Sequence, residues 1–148
     1  MVSLPDWSRN VSSAIINLQN AHERAAALRP RSHGFPYLAE VLRQAGVKRY
    51  HHSIPSGSTL YLTDDGPVVM QGDPVVAGIA DVAPWNRDAV VTAIRTDQAG
   101  DSTYPQFAQS CWEAGVVHYD VDLLGRTCTY TGVAGEQYVE SYPRVEVG

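Results

Sequence analysis

Residues 35–50, FPYLAEVLRQAGVKRY, decide the fold, because residues 104–119, YPQFAQSCWEAGVVHY, repeat their pattern 69 positions later. The aromatic-Pro pair, an Ala, the Ala-Gly-Val triplet and the final Tyr recur at the same places. The match continues without a gap to Tyr61 and Tyr130, and then to Gly66 and Gly135. Self-similarity at a fixed offset is typical of one structural unit used twice. The sequence therefore predicts a tandem duplication.

Each copy starts as a helix and continues as a strand. Proline fits the first turn of a helix, and the apolar residues that follow have helical spacing. Gly46 and Gly115 are predicted to end the two helices, because glycine adopts the left-handed conformation of the C′ position without penalty. Val47 and Val116 then begin the strands.

Further elements extend each copy on both sides. Each strand, 47–54 or 116–123, is predicted to form a hairpin with a second one, 58–63 or 127–132. A third strand is predicted at 136–141, with a counterpart at 68–71 that is followed by a looser stretch at 75–82. A helix precedes each aromatic-Pro pair, and Asn86 is the predicted N-cap of the second. The apolar stripe of the first comprises Val11, Ala14, Ile15, Leu18, Ala21, His22, Ala25 and Leu28.

These elements predict an α+β fold in which a helix-helix-β-hairpin unit occurs twice. The two pseudo-repeats are expected at about 8–66 and 85–143, joined by 67–84, within one domain spanning 1–148. Two such units pair most simply about a pseudo-twofold axis. They would form one antiparallel sheet with the helices packed on one face.

Composition narrows the class of protein. The chain has 148 residues, 44% of them hydrophobic, and a formal charge of −5. The acidic balance argues against nucleic acid or an anionic membrane surface as a partner. Apolar runs are too short for a membrane span, and the first residues do not resemble a signal peptide. Cys111 and Cys128 suit neither a disulfide framework nor a metal pattern, so we expect a cytoplasmic protein.

Alternation along the two hairpin-starting strands predicts a polar cluster. Tyr50, His52 and Ile54 share the core face with Tyr119 and its neighbours, and His52 is expected to be a core histidine bonded to a neighbour. The opposite face collects Arg49, His51, His118, Asp120 and Asp122. If the strands lie side by side, this cluster could bind a divalent metal or act as a general acid/base pair. The alternative is an ordinary solvated sheet face.

Other functional motifs are weak. The aromatic residues Trp7, Trp85, Tyr104 and Tyr142 could line a ligand groove, although aromatics at element ends more often border the core. Cys111 lies on the apolar stripe of a helix, and no basic group is clearly placed to activate Cys128. The chain contains no phosphate loop, nucleophile elbow, CxxC or HExxH motif, and we predict neither a cofactor nor a resident metal.

The combination of these motifs resembles a bacterial family described as domain of unknown function 1398, whose members are sometimes labelled "phage envelope protein". The resemblance is most specific at residues 93–100, Tyr104-Pro105-Gln106-Phe107, Tyr119-Asp120-Val121-Asp122, Tyr130-Thr131-Gly132 and Tyr142-Pro143. It extends over most of the chain from about residue 11. It implies no activity, cofactor or catalytic residue.

Three hypotheses of function follow. The preferred one is a non-catalytic module that binds a small molecule or a protein in a cleft between the two units, with no enzymatic activity. The first alternative is a metal-dependent or general acid/base enzyme that uses the polar cluster. The second is a homo-oligomeric structural or phage-related protein, in which an exposed sheet face or an open edge strand pairs with another copy.

Overall fold

The computed structural model describes residues 11–148, which form four helices and one six-stranded antiparallel sheet. The helices are α1 (Ser13–Leu28), α2 (Phe35–Gln44), α3 (Arg87–Gln98) and α4 (Tyr104–Glu113). The strands are β1 (Val47–Ser53), β2 (Ser58–Thr63), β3 (Gly66–Gln71), β4 (Val116–Asp122), β5 (Thr127–Gly132) and β6 (Gln137–Ser141). The predicted α+β class is confirmed, and the order helix, helix and three strands occurs twice.

Local signals at the helix ends behave as the sequence predicts. The side chain of Asn86 accepts a hydrogen bond from the backbone N–H of Ala89 and caps α3. Gly46 and Gly115 follow the C-caps of α2 and α4 with φ angles of +92° and +90°. Their N–H groups donate to the carbonyl oxygens of Arg43 and Trp112, which satisfies two free carbonyls at the helix ends.

The strand order is β3-β2-β1-β4-β5-β6, so the two halves meet where β1 pairs with β4. In that antiparallel pair His51 lies opposite Asp120, which stands 69 positions further along the chain. On either side of it, Tyr50 pairs with Val121 and His52 pairs with Tyr119. Adding the same offset of 69 to Tyr50 and His52 gives Tyr119 and Val121, so each of these pairs is the repeat counterpart of the other. This register has the local twofold symmetry that a duplication requires, although the duplication itself stays a prediction.

The two faces of the sheet have different surroundings. Tyr50 and His52 of β1, together with Tyr119 and Val121 of β4, are buried against the helices. The residues between them along the strands are wholly or partly exposed. Helices therefore cover one face, and the other face, which we call the open face, carries Arg49, His51, Ser53, His118, Asp120 and Asp122.

Some details differ from the sequence predictions. Val11 and Leu28, at the ends of the predicted α1 stripe, are exposed, because Val11 precedes the helix and Leu28 is its last residue. The looser stretch 75–82 contains no strand, in agreement with the sequence. Strand β3 begins at Gly66, two residues before the predicted 68–71, because its pairing with β2 extends to Thr63. Trp7 lies outside the described residues.

Candidate functional site

The junction of β1 and β4 brings three of the five predicted polar residues together. The His51 Nδ1 atom lies 2.7 Å from Asp120 Oδ1, and the His118 Nε2 atom lies 3.7 Å from Asp120 Oδ2. The two imidazole rings are 4.7 Å apart between centroids and tilted by 40°. The Asp120 carboxylate is therefore a shared neighbour of both histidines.

Strand geometry explains why these side chains meet. His118 and Asp120 are two residues apart on β4, so both project from the open face. His51 lies directly opposite Asp120 in the neighbouring strand, where side chains on one face are about 5 Å apart at Cβ. Burial lowers the pKa of His118, and the neighbouring His51 adds to this shift, whereas Asp120 opposes it. His118 is thus held toward its neutral form, in which an imidazole nitrogen can accept a proton or bind a metal.

A concave region of about 390 Å³ lies beside this cluster on the open face. It spans both halves of the chain, because β1 and β2 form one side and β4 and β5 form the other. Its lining comprises Arg49, Tyr50, His51, Leu60, Leu62, Asp120, Val121, Asp122, Thr127 and Thr129. A volume of this size falls within the range of about 300–1,000 Å³ that small-molecule sites occupy.

The remaining two predicted residues, Arg49 and Asp122, lie at the other end of the concave region. They are opposite each other in the β1–β4 pair. The Oδ1 atom of Asp122 accepts hydrogen bonds from the backbone N–H groups of Leu124 and Gly125, at 3.0 and 2.9 Å. This carboxylate therefore stabilises the β4–β5 turn, and it is not among the groups that could share a metal ion with His51.

Sequence reasoning did not single out four residues that line the concave region: Leu60, Leu62, Thr127 and Thr129. A usable signal was present in β2, where Leu60 and Leu62 alternate with the core residues Thr59 and Tyr61. This alternation places two leucine side chains on the open face.

The three aromatics of the predicted groove lie in different surroundings. Trp85 packs beside Gly115 and Gly132, and the Tyr142 ring stacks edge-on against Phe35. Tyr104, at the start of α4, contacts the buried His52 through its hydroxyl group. A groove shared by all three stays a prediction.

His52 is buried on the helix-covered face, as the alternation predicts. Its Nδ1 atom lies 2.6 Å from the Thr59 hydroxyl oxygen, and its Nε2 atom lies 2.7 Å from the Tyr104 hydroxyl oxygen. The Tyr104 hydroxyl is also 3.0 Å from that of Tyr119. Burial, with a smaller contribution from His51, lowers the pKa of His52 from 6.5 to about 4. His52 is therefore a neutral structural residue at pH 7.

Acidification should destabilise the protein through His52. Because its pKa is lower in the folded chain, the unfolded chain binds more protons, and stability should fall as the pH drops from about 6.5 toward 4. The free energy of unfolding, measured by urea titration at pH 7 and pH 5, should decrease less in a His52→Gln variant than in the wild type. Equal decreases in both proteins would show that His52 does not cause the effect.

Neither cysteine has the surroundings of a nucleophile. Cys111 and Cys128 are free and buried. Burial is the largest cause of the raised pKa of both thiols, about 12, so both stay protonated at neutral pH.

Fold and site together define an α+β protein with a helix-covered sheet whose open face carries a polar cluster and a concave region. Within residues 11–148, no helix combines the length and the apolar character that a membrane crossing requires.

The model of a protein family described as "Protein of unknown function (DUF1398)" matches residues 24–141, and the chain belongs to this family. The family resemblance seen in the sequence is thereby confirmed. Among similar proteins are uncharacterized proteins of Mycobacterium bovis and Mycobacterium tuberculosis. Each is 48% identical over 136 residues, which cover 92% of this chain and 83% of the relative.

Proposed function

We propose that this protein is a non-catalytic binding module whose ligand is a small organic molecule held in the concave region of the open face. The observation that carries the proposal is the position of this region, at the junction of the two halves and with lining residues from four strands. A cleft between two similar units is a common place for a ligand.

The lining indicates the chemistry of the ligand. Leu60 and Leu62 of β2 provide apolar surface on one side, and Thr127 and Thr129 of β5 provide hydroxyl groups on the other. Charged side chains of β1 and β4 lie between them. This arrangement favours a molecule with an apolar part directed toward β2 and a polar or charged part directed toward β4 and β5.

A thermal-shift screen tests this function. The probes are amino acids, organic acids, nucleosides and monosaccharides. The readout is the melting temperature, because a ligand that binds only the folded chain raises it. A compound that stabilises the wild type should bind to Leu60→Gln with an affinity at least about tenfold lower, since burying a leucine side chain contributes about 1.5–3 kcal/mol.

Val69→Gln is the matched control. Val69 pairs with Leu60 across β2 and β3 and is 67% exposed, but it lies outside the concave region. Affinity should be unchanged in this variant. Equal losses in both variants would place the ligand elsewhere, and the absence of any stabilising compound would contradict a small-molecule function.

A second candidate, general acid/base catalysis, is favoured by the 2.7 Å contact between His51 and Asp120. A carboxylate at this distance can orient an imidazole and stabilise its protonated form. If the protein is an enzyme, a compound from the screen should be chemically converted during incubation, and Asp120→Asn should abolish the conversion. An unchanged compound, recovered quantitatively, would favour the binding module.

Cytoplasmic location and homo-oligomer formation stay predictions. The outer strands β3 and β6 carry exposed valines, Val69 and Val139, on the open face. Gel filtration of the purified chain distinguishes a monomer from an oligomer.

A further inference from the structure

Three side chains of the open face offer one ligand atom each within a small space. The donor atoms of His51, His118 and Asp120 all lie within 4.8 Å of one another. Three atoms that are at most 4.8 Å apart all lie within about 2.8 Å of a common centre, where a metal ion could sit. We infer that these residues bind one divalent transition-metal ion of the zinc class.

The required rearrangement is small. Nitrogen and oxygen ligands lie about 2.0–2.2 Å from zinc, so side-chain shifts on the order of 1 Å bring the three donors to bonding distance. His51 and Asp120 are about half exposed and His118 about one-third exposed, which leaves their side chains free to rotate. The backbone positions, in contrast, are fixed by pairing with β2 on one side and β5 on the other.

The Asp120 carboxylate lies where a shared ligand has to lie. Its oxygens are 2.7 Å from His51 Nδ1 and 3.7 Å from His118 Nε2. Two ligands of a tetrahedral zinc ion are about 3.4 Å apart, a separation between these two distances. The cation would replace the proton of the hydrogen bond between His51 Nδ1 and Asp120 Oδ1, and His118 Nε2 would move closer to the Asp120 carboxylate.

The donor set selects the metal. Two imidazole nitrogens and one carboxylate oxygen suit zinc, cobalt, nickel, copper and ferrous iron, whereas magnesium and calcium prefer oxygen ligands alone. Three protein ligands leave at least one coordination position open, and in this cluster it is on the side of solvent and the concave region. This resembles the ligand count of catalytic zinc sites more than that of structural ones.

The metal site goes beyond the small-molecule function proposed above, and either can fail without the other. The metal needs His118, which does not line the concave region, and the organic ligand needs Leu60, which cannot coordinate a metal. Variants at these two positions therefore separate the two proposals.

Isothermal titration calorimetry with zinc chloride tests the site directly. The full-length chain, without a histidine tag and treated with a chelator, should bind one zinc ion. The single variants His51→Ala, His118→Ala and Asp120→Asn should each weaken binding at least about tenfold, because each removes one of three ligands. Magnesium chloride should give no comparable binding.

His33→Asn is the matched control, because His33 is an exposed histidine outside the cluster. Its φ of +52° is one that asparagine tolerates. This variant should bind zinc as tightly as the wild type. All four variants should keep the melting temperature of the metal-free wild type to within a few degrees, which separates a lost ligand from a lost fold.

Failure of the wild type to bind zinc at millimolar concentration would overturn the inference. So would equal binding by the wild type and the three cluster variants, or a loss in His33→Asn as large as theirs. Binding of one zinc ion by the wild type, and its loss in each of the three single variants of the cluster, would establish the site.

Discussion

Truncating Leu123 to alanine should lower the free energy of unfolding by about 2–5 kcal/mol, whereas truncating its neighbour Leu124 should change it by less than about 0.5 kcal/mol. Leu123 is 1% exposed and Leu124 is 65% exposed. The two variants make the same chemical change at adjacent positions. Their difference therefore isolates the contribution of burial.

The surroundings of Leu123 explain the size of the effect. It follows the last residue of β4, and its N–H group donates to the Lys48 carbonyl oxygen at 3.0 Å. Its side chain belongs to the main core and, with Pro36 and Ala39 of α2, lines a small pocket between the sheet and this helix. Alanine here would leave a cavity between the sheet and α2, whereas Leu124 extends from the turn into solvent.

Urea unfolding monitored by circular dichroism measures both variants, with wild-type far-UV spectra as the check on folding. If Leu123→Ala and Leu124→Ala lose similar amounts of stability, Leu123 does not fill the core as described.

Replacing Gly115 with alanine should destabilise the protein by about 2–5 kcal/mol. At a φ of +90°, a residue with a Cβ atom costs about 1–2 kcal/mol. The new Cβ atom would also lie 2.7 Å from the Pro84 carbonyl oxygen and 2.7 Å from the Trp85 Cα atom. Backbone atoms cannot turn away as a side chain can, so overpacking adds about 1–3 kcal/mol.

Gly46→Ala is the control from the corresponding position of the first half. Its φ of +92° imposes the same backbone cost, but the nearest atom to a new Cβ is Asp64 Oδ2, at 3.0 Å. The Asp64 side chain is exposed and can rotate away. Urea unfolding should give a loss of only about 1–2 kcal/mol for Gly46→Ala. Equal losses of stability at the two glycines would show that the backbone of residues 84–85 moves to accommodate the new Cβ atom.

Much of the fold could be predicted because its signals are local. Asn86 caps a helix by bonding a backbone N–H three residues away, and Gly115 ends one through its own φ. The hairpin strands β2 and β5 begin and end at the predicted residues.

Prediction of the site was more limited. Alternation correctly assigned His51, His118 and Asp120 to one face and His52 to the other, since the side-chain period of a strand is a local property. Asp122 was assigned to the cluster by alternation alone, although Asp at the first and Gly125 at the fourth position of a turn favour the observed bond of its carboxylate to the β4–β5 turn. The sequence did not reveal that Leu60 and Thr129 border the same concave region.

The sequence by itself determined the order of the elements, the ends of the helices and the face on which each strand residue lies. These properties depend on hydrogen bonds and side-chain alternation within a few residues. Only the tertiary structure decided that His51 lies opposite Asp120, that His118 lies near both, and that strands of both halves border one concave region. The reason is physical: the register between β1 and β4 joins residues 69 positions apart and is selected by the packing of the whole core.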